Sequence, residues 1–253
     1  MATHFKSTLQ LATVSIGFVA ASLSTSASAI TMTLPTTNLD ANSVFSFNSD
    51  VQDLMTNMGM YVTGLGNSKQ TSPTAWSFNM PVTEVALSMN LLPLSLSPVS
   101  GKASGSALGI YSEEGGLQLA NFSLDFKRNV LSADLITAAG TSKNFDVYNF
   151  NVAQGLHVST TGGLSMQMSL TQMHLTKGAQ TAFAQALVLQ DFAVAVLGDL
   201  DFGRLDINIS PGLRFNVSDK AYTSTMVPEI PSVGMLALGL FGIAIAARRK
   251  LNN

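Results

Sequence analysis

Between Ile30 and Met226 the chain alternates apolar and polar positions in short runs, broken by glycine and polar turns. Leu117 to Phe126 is the clearest run, and both of its faces carry apolar residues. That pattern predicts a strand covered on both sides. Lys127-Arg128-Asn129 reads as a turn, and Val130 to Ile136 returns, so the pair reads as a β-hairpin. Ser106 to Tyr111 precedes it, joined through Ser112 to Gly116, whose glycines suit a tight connection. Further strands are expected at Trp76–Met80, Thr83–Met89, Asp146–Val152, Leu164–Leu170, Phe192–Leu197 and Leu205–Ser210. Short strands at this spacing predict one all-β domain, a single antiparallel β-sandwich or barrel-like fold.

Two segments leave the period of two. Val51, Leu54, Met55 and Met58 fall on one face of a helix, and Ser49 with Gln52 has the form of a capping box. Lys177 to Leu187 is rich in Ala and Gln, with Phe183 and Leu187 on one stripe. Both read as short helices plugging the ends of the β layers. Leu92 to Gly105, with Pro93, Pro98 and several serines, reads as a long exposed loop.

The ends differ from the body. Lys6 precedes an apolar run from Leu9 to Leu23, which closes in the small-x-small site Ala27-Ser28-Ala29. This is the form of a secretory signal peptide over 1–29, cut by signal peptidase after Ala29; the alternative is an uncleaved anchor. The last segment, 227–253, holds Val227, Pro228, Glu229, Ile230 and Pro231, then an uncharged stretch over 232–247, then Arg248, Arg249 and Lys250. About 16 residues is short for a full span but crosses a thin bilayer as a transmembrane helix with snorkelling flanks. The basic triplet would hold that end in the cytoplasm and leave the body, 30–226, outside.

This tail resembles the PEP-CTERM sorting signal in its three parts and their order. Ile230 stands where that family has proline, and Pro231 follows. The resemblance implies a membrane exosortase as partner, export in a Gram-negative bacterium, transient inner-membrane anchoring, and release to the cell surface or exopolysaccharide matrix. A plain anchor that is never cut is the alternative. The body resembles the haem-transport-associated, HtaA-like secreted β domains. The shared order is a Phe-Ser-Phe strand at Phe45–Phe47, a short helix, then Phe78-Asn79-Met80-Pro81-Val82 and a hairpin ending at Leu124-Asp125. That resemblance speaks for architecture; the family's haem ligands do not map onto residues here, so no cofactor is assigned.

Composition narrows the chemistry. The formal net charge is -2 and charged residues make up 11% of the chain, so nothing marks a nucleic-acid partner. There is no cysteine, which excludes disulfides and thiolate chemistry. Once His4 leaves with the signal peptide, His157 and His174 remain, without a Gly-x-Ser-x-Gly elbow. No catalytic, cofactor or metal residue is assigned. Asp199, Asp201 and Asp206 near Gly203 are weighed as a Ca²⁺ or glycosidase pair and read as solvated carboxylates. Trp76 with Tyr61, Tyr111 or Tyr148 is weighed as a sugar platform and read as core. Asn121, Asn208 and Asn216 each head an Asn-x-Ser triplet. The expected function is a non-enzymatic structural or adhesive surface protein, with an extracytoplasmic binding module for polysaccharide or haem as the alternative.

Overall fold

The computed structural model describes residues 29–224, except 92, 93, 162 and 164. The expected signal segment with Ala27, and the tail with its motif, apolar stretch and basic triplet, lie outside the described residues. Among the described residues no helix is long and apolar enough to cross a membrane.

The elements run β1 (Ile30–Pro35), β2 (Leu39–Phe47), α1 (Ser49–Asn57), β3 (Tyr61–Gly66), β4 (Lys69–Gln70), β5 (Ser77–Pro81), β6 (Glu84–Leu91), β7 (Leu94–Tyr111) and β8 (Gly116–Asp125). Then follow β9 (Val130–Thr137), β10 (Gly140–Ser159), β11 (Ser165–Leu175), α2 (Lys177–Ala186), α3 (Asp191–Leu197) and β12 (Gly203–Leu213). The strands form one antiparallel sheet in the order β1-β6-β7-β8-β9-β10-β11-β12-β2-β5-β4, with β3 paired to β7. Most neighbours are consecutive in sequence, so the sheet is a meander. It departs from sequence order where β1 pairs with β6, β12 with β2, β2 with β5 and β3 with β7.

The sheet curls into a half-barrel, as the all-β expectation required. Its β5 end meets β6 and β7 at a seam built on Val82 and Thr83. Val82 N–H donates to Ala41 O at 2.8 Å, Thr83 N–H to Lys102 O at 2.8 Å, and Thr36 N–H to Thr83 O at 2.9 Å. Curling turns one face inward, and the inward residues make the core: Phe45, Phe78, Ile110, Leu117, Leu119, Leu131, Leu170 and Leu205 are each at most 2% exposed. The helices cap one end. Val51 and Met55 of α1, Phe183 of α2 and Leu197 of α3 pack into that same core. Tyr148 lies there between Phe45 and Phe202, ring centroids 5.8 and 5.4 Å away, and burial pushes its phenol above the ordinary value.

The hairpin β8–β9 forms as expected. Asp125 Oδ1 accepts from the backbone N–H of Lys127 and of Arg128, and Asn129 closes the turn at φ 54°. Three expectations are corrected. Phe192–Leu197 is helix α3, not a strand: the buried residues are Ala193 and Leu197, four apart, and the alternating Phe192, Val194 and Val196 face solvent. Leu92–Gly105 is not an exposed loop: from Leu94 it belongs to β7, paired with β6 and then β8. Pro98 is tolerated because it lies at a bulge, where the register slips between Ala86 and Leu87. The Ser49 capping box does not form. Asn48 is the N-cap, and Gln52 instead donates to Phe47 O at 2.9 Å and accepts from Trp76 N–H at 3.3 Å.

Candidate functional site

At the end of the half-barrel away from the helices the two inner walls do not meet. One wall brings Val85 and Leu87 from β6, Ala103 from β7, and Phe122 and Leu124 from β8. The other brings Met166 and Met168 from β11 and Leu205, Ile207 and Ile209 from β12, with Leu156 of β10 at the margin. Strand alternation selects these residues: on β12, Leu205, Ile207 and Ile209 are every second position and share a face. The slot between the walls is open at its mouth; its cavity volume is about 40 Å³, and about 630 Å³ when all the empty space reaching into solvent is included.

Its chemistry is apolar. Ser43, Ser100, Gln167 and Lys102 are its polar members. The Ser43 hydroxyl is spent on Met80 O at 2.8 Å, and Lys102 Nζ is held by Glu84 at 2.8 Å. Such a site can bind by excluding water and by dispersion contacts, with methionines that reshape to the ligand. Among the described residues its lining holds no carboxylate, and no histidine or tyrosine to hold a haem iron.

The residues weighed from sequence lie elsewhere and apart. His157 sits on β10 opposite Gln167, and His174 on β11 opposite Asn149. Asp201 Oδ1 accepts from Met173 and Gly203 N–H, both at 3.0 Å, so this carboxylate fixes the entry of β12. Asp206 accepts from Ser169 Oγ at 2.7 Å and pairs with Arg204. Among the described residues no three His, Asp or Glu side chains gather as a metal site would need. Trp76 stands edge-on to Phe47 at 5.9 Å as part of the core, Tyr148 is buried, and Tyr61 and Tyr111 pair at 5.4 Å as partners on β3 and β7. These four aromatics therefore do not assemble one sugar platform.

Sequence reasoning missed the slot residues and Arg214. Each slot residue reads locally as ordinary strand core, and only the curl of the sheet brings Val85 opposite Ile209. Arg214 follows β12 and inserts its guanidinium into the seam, donating to the carbonyls of Thr36, Thr37, Ala41 and Val82 and to Asn42 Oδ1. A lone arginine after a strand gives no signal of that role.

The fold and slot define a β half-barrel domain with an apolar interior cleft. No family model matches the chain, and no curated protein matches it. Among solved structures it is similar to the C-terminal domain of HtaA from Corynebacterium glutamicum, with a TM-score of 0.43 and 13% identity over 69% of this chain and 99% of that one. It is also similar to the heme binding protein HtaB from Corynebacterium glutamicum, with a TM-score of 0.41 and 9% identity over 73% of this chain and 98% of that one. The HtaA-like resemblance seen in the sequence thus recurs among the structural neighbours. At these scores it carries no argument about function.

Proposed function

We propose that this chain is an extracytoplasmic binding module that takes a slim apolar ligand, an acyl or isoprenoid-like chain, into the slot of its half-barrel. One observation carries the reading: the two inner walls stay apart over a lining whose only charged side chain among the described residues, Lys102, is already paired. A passive scaffold has no need of such a gap, since closing it would bury more apolar surface. Export is supported by the signal-like segment at 1–29, and delivery to the surface by the PEP-CTERM-like tail at 227–253. Signal peptidase and an exosortase-type protease are the partners that those segments would meet.

The test is a titration of the full chain with a neutral naphthylamine fluorophore, followed by competition with a saturated long-chain alcohol, haem and soluble polysaccharide. Saturable binding displaced by the alcohol, and weakened at least tenfold by Ile207→Trp, is expected. Ile207 is half-buried, so the larger ring fills the slot without overpacking the core. Absence of saturable binding would return the chain to the structural or adhesive reading. Displacement by haem or polysaccharide alone would assign a different ligand.

A further inference from the structure

After β12 the chain crosses the outer face of the sheet, and the sheet is shaped to receive it. The outer surface of β7, β8 and β9 carries Ala107, Ala120 and Ile136, with Leu65 of β3 and the ring of Tyr222 packed over them. Two asparagines grip the crossing segment by its backbone. Asn67 Nδ2 donates to Ser218 O at 2.7 Å, and its Oδ1 accepts from Ser218 N–H at 3.4 Å. Asn121 Nδ2 donates to Tyr222 O at 3.0 Å, and its Oδ1 accepts from Tyr222 N–H at 2.7 Å. Each amide thus imitates the donor and acceptor of a neighbouring strand.

The sheet deforms to make this grip. β7 and β8 lose register between Ala103 and Ala107 and between Ala120 and Ser123, a bulge in both strands. Gly66, Gly105 and Asn121 stand at φ 60°, 75° and 54°. A Cβ on Gly66 would meet Gly105 O at 2.2 Å and the Tyr222 ring at 2.9 Å; one on Gly105 would meet Lys220 O at 2.9 Å. Asn121 is fully engaged, since it also accepts from Gly105 N–H at 3.1 Å and donates to Asp134 at 2.8 Å. The Asn121-Phe122-Ser123 triplet is therefore a clamp, and its amide has no free N–H to carry a sugar.

We propose that this clamp controls proteolytic processing of the C-terminal segment. Residues 214–222 form a strap whose backbone is held to the sheet, which fixes the point where the chain leaves the body and confines release of the body to bonds beyond Tyr222. A protease must draw an extended stretch of substrate into its cleft before water can add across the amide C–N bond. While the strap is held, that stretch is engaged with Asn67 and Asn121. Cleavage then scales with the population of the opened strap. The reading is independent of the apolar slot.

The experiment is timed trypsin digestion of the full chain, with mass spectrometry following cuts after Arg214 and Lys220. Hydrogen exchange at β8–β10 amides reports whether the body stays folded. Asn67→Ala and Tyr222→Ala each should raise cleavage after Lys220 about tenfold, and the pair together about a hundredfold, with body exchange unchanged. Asn121→Ala should do at least as much. It also breaks bonds to β7 and β9, so Asn67→Ala and Tyr222→Ala decide if its body loosens. Cutting of the unaltered chain after Lys220 as fast as in those two variants overturns the proposal. So does acceleration that appears only together with faster exchange throughout the body.

Discussion

Replacing Arg214 with methionine tests whether one guanidinium holds the half-barrel's seam closed. The side chain reaches four carbonyls and one amide oxygen, with Val82 O at 2.8 Å and Thr36 O at 3.2 Å among them. Burial lowers its pKa and the Asp40 carboxylate opposes that, so the group remains a cation with no carboxylate in direct contact. Methionine keeps most of the stem and removes every donor. The loss is bounded because three of the carbonyls keep a second partner. Val82 O still accepts from Thr36 Oγ1, Ala41 O from Val82 N–H, and Thr36 O from Leu39 N–H. No carbonyl of these three is orphaned, so the cost is that of the charge-assisted bonds less the relief of rehydrating a half-buried cation, about 2–3 kcal/mol. For a body of about 200 residues that lowers Tm by about 4–12 °C. The measurement is thermal and urea unfolding of the two chains followed by circular dichroism, with the urea slope unchanged. Arg214→Lys should fall near the methionine variant, because one ammonium cannot reach a fan of acceptors. A fall in Tm below about 2 °C, or a lysine variant equal to the parent, would refute the seam argument.

Other outcomes follow from single contacts. Gly203→Ala should cost about 3 kcal/mol in urea unfolding, because its Cβ would lie 2.0 Å from Ser46 O at a φ of 135°. Phe183→Ala should cost about 3–5 kcal/mol, since Phe183 is 2% exposed and anchors α2 against Phe202; a loss under 1 kcal/mol would show that α2 is not part of the cooperative core. The Arg128 cluster predicts a pH dependence. Hydrogen bonds from the Arg128 side chain and backbone hold Asp125 below the usual carboxylate range. Burial acts to raise Asp146, but the Ser132 hydroxyl and Arg128 outweigh it. Groups with depressed folded pKa values add stability that is fully present above their unfolded pKa of about 4 and is lost as pH falls through the folded values. Arg128→Met should therefore lower the urea midpoint at pH 7 and change it least near pH 2; an equal change at both would deny the linkage.

The sequence is most informative where burial follows a local period. On β11 Met166, Met168 and Leu170 alternate inward, while β8 and β9 are short apolar runs buried on both faces and bounded by turn residues, so the hairpins could be placed from spacing and turns. α2 was legible because Ala179, Phe183 and Leu187 keep a helical spacing and Thr176 caps it, its hydroxyl accepting from Ala179 N–H at 3.1 Å. α3 misled because Phe192, Ala193, Val194, Ala195 and Val196 are small or apolar on every side. With both faces apolar, alternation carries no information about which residue is buried, and contact with α2 decides. β7 misled for the opposite reason. Its serines, glycines and Pro98 lower every strand propensity, yet β6 on one side and β8 on the other supply its backbone partners.

The slot and the strap were illegible for a deeper reason, which is that neither is a property of any segment. Met166 and Ile209 are register partners across β11 and β12, and Val85 joins them only because the β5 end of the sheet meets β6 at the Val82–Thr83 corner. Arg214, which is separated from Thr36 by most of the chain, bridges that closure. Asn121 is similar: its triplet suggests sugar attachment, while its side chain is aimed by paired bulges at a backbone segment about a hundred residues later. A sheet that curls converts distant strand residues into neighbours, and the sites it makes are written in the curvature. Shifting β12 by one residue against β2 would turn Leu205, Ile207 and Ile209 outward, opening the slot and displacing Arg214 and the strap together. Binding at the slot and protection of the strap should therefore fail jointly under any substitution that slips this register, while Ile207→Trp should weaken binding at least tenfold and leave cleavage after Lys220 slow.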